Sequence, residues 1–160
     1  MKTIVLILIC LTNIYAHPHF FVDASIDIQK DKISHKWEFD RLNSRLLIFD
    51  FDKNKNKKLE LDEQLSFIEK HIEKLKVDNY NLFMDLDSNE IIANPINMQA
   101  KIINKRVVLS FDLLYKIDEG GTICTIDPSL YFAYKLKDIK SAFSYEKQIS
   151  ESDYCIGVNK

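Results

Sequence analysis

The stretch "FFVDASIDIQKDKISHKWEFD", residues 20–40, decides the fold. Phe20, Val22, Ala24, Ile26 and Ile28 recur at every second position, which is the period of a strand with one buried face. The alternation reaches back to His17, so a strand is expected over 17–28. His17, His19, Asp23 and Asp27 then share its other face. Lys30-Asp31 reads as a turn, and Ile33, His35, Trp37 and Phe39 give a second strand over 33–39. On that face His35 reads as a packed core histidine rather than a metal ligand. Asp40 follows with a side chain suited to capping a helix.

Working outward, Leu42, Leu46 and Phe49 fall at helical spacing over 41–51, and Leu65, Ile68, Ile72 and Leu75 do so over 62–76. His71, between Glu69 and Glu73, is expected on the solvated side of that second helix. After Val77 the period returns to two. Strands are expected over 80–86, 90–93, 97–103, 106–116, 122–126, 130–136 and 141–147. Turns are expected at Asp87-Ser88-Asn89, Asn104-Lys105 and Gly120-Gly121. Hairpin-length connections imply antiparallel pairing. The expected fold is an α+β domain, an antiparallel sheet or sandwich with a helical hairpin inserted over 40–76.

Before the first strand stands a short leader. Lys2 supplies a positive charge, Ile4 to Leu11 is apolar apart from Cys10, and a more polar flank ends in Ala16. This is the plan of a secretory signal peptide cut after Ala16. The apolar run is roughly half the length of a membrane span. An uncleaved anchor and a lipoprotein built on Cys10 are the alternatives, the latter disfavoured by bulky Ile9. The expected product is a single periplasmic domain over 17–160, long enough to bury a core. A net charge of −2 argues against nucleic acid as the main partner. With Cys10 removed, Cys124 and Cys155 remain. They form either two unrelated thiols or, in an oxidising compartment, a disulfide closing about 30 residues and worth about 3–4 kcal/mol.

Between the two helices lies "DKNKNKKLELDE", residues 52–63. A twelve-residue calcium loop takes oxygen ligands from positions one, three, five, seven, nine and twelve. Here those are Asp52, Asn54, Asn56, the Lys58 carbonyl, Glu60 and Glu63, with apolar Leu59 at position eight. Position six, normally glycine, is Lys57, which must take a left-handed backbone at a cost of about 1–2 kcal/mol. Four lysines crowd the loop, so any calcium affinity belongs to the weak regime of roughly 10⁻⁴–10⁻³ M. The competing reading is a degenerate loop that only connects helices. "DLDSNE", residues 85–90, echoes the pattern but has Ile96 where a bidentate glutamate is needed, so it reads as a hairpin turn.

Cleavage before His17 would leave a free α-amine beside that residue's own imidazole, both largely neutral just above neutral pH. His19 follows two residues on, and Asp23 further along the same face. Imidazoles suit zinc, copper and nickel. Pro18 has no amide hydrogen, which excludes an amino-terminal site that deprotonates the second amide. The competing reading is a strand entrance with exposed histidines. An amino-terminal histidine also occurs in copper monooxygenases, but their second histidine comes from far along the chain. The sequence has no nucleophile–base pair or glycine-rich phosphate loop, so the chain is not expected to be an enzyme.

"AHPHFFVDA" (16–24), "WEFD" (37–40), the loop at 52–63, "IDPSLYFAY" (126–134) and a late Cys155 together resemble the domain-of-unknown-function family 1007. The resemblance spans nearly the whole mature chain. Family members commonly carry aspartate and glycine where this chain has Asn56 and Lys57. The resemblance implies a periplasmic component of a transport system, an accessory beside an inner-membrane permease for nickel, cobalt or zinc. No catalytic residues come with it. His17, His19 and Asp23 are then the expected transition-metal ligands, with Asp127, Pro128 and Tyr131 shaping the same surface. A calcium-stabilised interaction module is the alternative.

Overall fold

The computed structural model describes residues 19–159. The leader, the junction at Ala16 and His17 lie outside them. Strand β1 (Phe20–Ile28) and strand β2 (Lys32–Phe39) pair antiparallel with Ile28 opposite Ile33. Their apolar residues point inward as the alternation requires: Ala24, Ile28, Ile33, Trp37 and Phe39 are fully buried. His35 is buried among them, stacked on Phe111 with ring centroids 4.9 Å apart.

Helix α1 (Arg41–Phe51) begins where expected, because Asp40 accepts hydrogen bonds from the Leu42 and Asn43 N–H groups. Its inward face is not the expected one. Leu42, Leu46 and Phe49 face outward, whereas Asn43, Ser44, Leu47 and Phe51 are buried. The reason is polar: the Ser44 hydroxyl donates to the Phe39 carbonyl (3.0 Å) and accepts from the Val107 N–H (2.9 Å). Two backbone groups that would be costly to bury unpaired are satisfied there. This fixes the helix rotation against its leucine stripe.

Helix α2 (Leu61–Phe67) is shorter than the single helix expected over 62–76. It passes into a π-helical turn at Ile68–Ile72 and then 3₁₀ turns at Glu73–Asn81. The wider turn shifts the phase of every later side chain. Ile68 and Ile72 are buried as their spacing predicts; Leu65, ahead of the π turn, is exposed, and His71 is carried inward. Three consecutive non-glycine residues, Asn79, Tyr80 and Asn81, then adopt left-handed backbone. Asn79 braces this bend, donating to the Leu82 and Ile91 carbonyls and accepting from the Ala93 N–H.

The remaining strands are β3 (Leu82–Leu86), β4 (Asn89–Ile91), β5 (Ile96–Ile103), β6 (Arg106–Leu114), β7 (Gly120–Thr125), β8 (Phe132–Ser141), β9 (Ser144–Ile149) and β10 (Tyr154–Asn159). They form two five-stranded sheets, β5-β6-β2-β1-β8 and β4-β3-β7-β10-β9, which share one core. The pairing is antiparallel except for β1 and β8, which run parallel with Phe20 beside Phe132. Strand β10 was not expected. Gly120 and Gly121, expected as a turn, instead open β7 with φ of 129° and 145°. A Cβ at Gly120 would lie 2.2 Å from the Val158 carbonyl oxygen, and one at Gly121 2.0 Å from that of Asp85. Only glycine lets both neighbouring backbones approach so closely.

Candidate functional site

Three features meet at the end of the molecule where β1 begins. The first is the strand entrance. The His19 and Phe20 N–H groups both donate to the Tyr131 carbonyl, at 2.9 and 3.0 Å. The His19 ring lies against the Tyr131 ring, centroids 4.7 Å apart, and both side chains are exposed. Buried Asp127 holds the loop that presents Tyr131. Its carboxylate accepts from the Ser129 N–H, the Ser129 hydroxyl and the Phe132 N–H. The motifs around residues 17 and 127 are thus brought together. His17 itself lies outside the described residues.

Asp23, expected as a further ligand, occupies a different environment. Its two carboxylate oxygens face Arg106 at 3.1 Å and Lys137 at 3.2 Å. Arg106 also pairs with Glu38 at 2.9 Å, and its Nε donates to the Phe39 carbonyl at 2.7 Å. This half-exposed network ties β1, β2, β6 and β8 across the outer sheet face. A metal would compete there with two cations. No local sequence pattern singles out Arg106, because its hydrogen bond to the Phe39 carbonyl joins segments 67 residues apart.

The second feature is the loop 52–63. Asp52 and Glu63 are both buried, and no cation pairs with them in a salt bridge among the described residues. Backbone N–H groups satisfy them instead. Asp52 accepts from Asn56 and Lys57 at 3.1 and 3.0 Å. Glu63 accepts from Lys53 at 2.8 Å and from Glu60 at 3.0 Å, closing the first turn of α2. Asn54 and Asn56 cap further loop N–H groups, and the Asn56 amide donates to Glu60. Lys57 has φ of 65°, the left-handed backbone expected at position six, and Lys55 has φ of 60°. Leu59, at position eight, is buried in the core. Lys58 is exposed.

The third feature joins the first two. The His71 ring lies among Phe20, Phe51 and Phe67, with centroid distances of 5.4, 5.5 and 5.7 Å. Phe20 follows His19, and Phe51 precedes Asp52. Burial, then the Lys70 and Lys74 charges, hold the His71 pKa below the usual imidazole value, with Asp50 opposing. Its Nε2 has no hydrogen-bond partner. The signal for this placement was Phe67, four residues earlier on the same helical path, where ring–ring contact is geometrically favoured.

Among the described residues, no group of three or more His, Cys, Asp or Glu side chains is placed to hold a metal ion. No helix among them is long and apolar enough to cross a membrane. Cys124 and Cys155 are disulfide-bonded and directly opposed on β7 and β10.

No curated protein and no solved structure matches the chain. A family model described as "Protein of unknown function (DUF1007)" matches residues 3–156. That match takes in the strand entrance, the loop between the helices, the Asp127 loop and both cysteines, and the chain belongs to this family.

Proposed function

We propose that the protein is an exported, non-enzymatic accessory that handles a transition metal, of the zinc, nickel or cobalt class or copper, for an inner-membrane permease. The observation that carries this reading is the exposed His19 ring at the start of β1, anchored through the Tyr131 carbonyl and packed on the Tyr131 ring. An imidazole held at a strand entrance, two residues after another histidine in sequence, offers a small set of nitrogen ligands. Few ligands leave coordination positions open, as a carrier that passes its metal on requires. The Cys124–Cys155 disulfide suits an oxidising compartment and so supports export. In this reading Asp23 is an ion-pair residue of the scaffold, and His17 and His19 supply the ligands.

The test is competition for zinc, nickel or copper(II) with a chromogenic chelator, using exported protein whose intact mass places His17 first. Adding one residue before His17 converts its amine to an amide while leaving both imidazoles. That change and His19→Ala should each weaken binding about tenfold or more, the equivalent of about 1.4 kcal/mol. Binding should also weaken as pH falls through about 6, where the metal must displace protons. Unchanged affinity in both variants would exclude the terminus as the site.

A second reading, a calcium-stabilised module, is favoured by the buried Asp52 and Glu63 carboxylates at the two ends of the loop. Both are held by N–H donors alone, so their charge is not already cancelled by a cation. The residues fit calcium in donor type: Asp52, Asn54, Asn56, Glu60 and Glu63 side chains with the Lys58 carbonyl. Lys57→Gly would relieve the left-handed strain and remove one positive charge. Calorimetric titration should show calcium binding about tenfold tighter in that variant, on a strain of about 1–2 kcal/mol. Absence of binding in both forms would make the loop a connector only.

A further inference from the structure

The leucine stripe that α1 turns outward is left without a partner. Phe49 is 82% exposed, Leu42 68% and Leu46 58%, and their spacing places all three on one face of the helix. On the second helix of the hairpin Leu61 and Leu65 are 73% and 56% exposed. Five large apolar side chains on two adjoining helices exceed the scattered exposure normal for a soluble surface.

The charge around them says what they meet. Arg41 and Arg45 adjoin Leu42 and Leu46 in α1, and Lys53, Lys55, Lys57 and Lys58 follow the end of the helix that carries Phe49. All six are exposed, against three exposed acids in the same segment, Asp50, Glu60 and Asp62. Asp52 and Glu63 are turned inward and satisfied by backbone. A chain of net charge −2 thus gathers cations around its most exposed apolar stripe. Apolar side chains on one helix face beside Lys and Arg are the pattern of a segment lying in the interface of an anionic bilayer. A protein partner would need an acidic rim around its apolar groove, whereas an anionic bilayer supplies an apolar interior and phosphates together over its whole surface.

We propose that the helical hairpin over 41–65 docks on the surface of an anionic phospholipid bilayer, with Leu42, Leu46 and Phe49 entering the headgroup boundary and Arg41, Arg45 and the loop lysines binding lipid phosphates. This docking surface includes the lysines of the loop 52–63 and uses neither His19 nor a bound transition metal.

Flotation with vesicles of phosphatidylglycerol and phosphatidylethanolamine, against vesicles of phosphatidylcholine alone, tests it. The exported protein lacking the apolar leader is used, since the leader would itself bind lipid. Binding is expected to the anionic vesicles and to fall in raised salt. The Leu42→Ser, Leu46→Ser, Phe49→Ser triple variant should bind about tenfold less or weaker still, since about 1.4 kcal/mol per tenfold is within reach of even partial burial of three such side chains. Replacing Arg41, Arg45, Lys53 and Lys55 with Gln should remove the preference for anionic lipid. All these positions are exposed, so circular dichroism and melting temperature should stay at wild-type values. Absence of binding to anionic vesicles would overturn the proposal, as would equal binding to both vesicle types or undiminished binding by the triple variant. So would sedimentation showing a dimer that the triple variant alone dissolves, because the face would then serve self-association.

Discussion

Replacing Cys124 and Cys155 together with serine should lower the melting temperature by about 10 °C. The two residues are 31 apart in sequence and directly opposed in register on β7 and β10. Closing a loop of that length removes unfolded-state entropy worth about 3–4 kcal/mol. A domain of this size shifts by about 2–4 °C for each kcal/mol, which gives the expected change. The span between the cysteines contains β8 and β9, so without the crosslink both must find their places by diffusion of a free chain. The inward residues of β10, Tyr154, Ile156 and Val158, are fully buried, and the strand pairs on both sides. The double variant should therefore still fold to the same structure. A reducing agent should bring the wild type down to the variant's melting temperature and leave the variant unmoved. A double variant melting within about 2 °C of wild type would show that the crosslink contributes nothing to stability.

What the sequence made legible follows from how local each cause is. The β1–β2 hairpin could be read because its alternation, its turn and the Asp40 cap all lie within 21 consecutive residues. The loop backbone was legible for the same reason: ligand spacing forces a left-handed residue at Lys57, and φ is 65° there. The parallel pairing of β1 with β8 joins segments more than a hundred residues apart, and no local pattern specifies it. Strand β10 did carry a signal, since Tyr154, Ile156 and Val158 alternate with Cys155 and Gly157. The inward face of α1 differs from the expected one because hydrophobicity favours Leu42 and Leu46, whereas Ser44 and Asn43 win by satisfying polar groups at the helix start and at the first residues of β6. The π-helical turn at Ile68–Ile72 leaves Ile68 and Ile72 buried as the helical period predicts, but it carries His71 off the expected solvated side. The meeting of Tyr131 with His19 could be anticipated only as two motifs on one surface; the carbonyl that joins them is backbone, which side-chain identity does not reveal.

Acid should destabilise the protein through His35, and His35→Leu should remove much of that sensitivity. Both ring nitrogens of His35 are buried without hydrogen-bond partners, and the ring is stacked on Phe111. Burial lowers its pKa to about 3, against a weaker opposing pull from the Asp112 carboxylate. The native state therefore holds the imidazole neutral, whereas the unfolded chain takes up a proton below its ordinary value of about 6.5. Because the folded pKa lies below the unfolded one, the unfolded state binds more protons as pH falls, and stability drops with it. The stability is complete above about pH 6.5, is reduced by about 2 kcal/mol at pH 5, and is lost by an amount on the order of 4 kcal/mol near pH 3. Leucine matches the site in size and does not titrate. No hydrogen bond of the ring is broken by the change, so stability at pH 7 should move by no more than about 1.5 kcal/mol. Denaturant unfolding of both proteins at pH 7 and pH 5 decides the matter. Wild type should lose about 2 kcal/mol more than the variant between these values; equal losses would mean that protonation of His35 does not oppose folding. His71, also held below its usual pKa by burial, titrates in both proteins and cancels from the comparison.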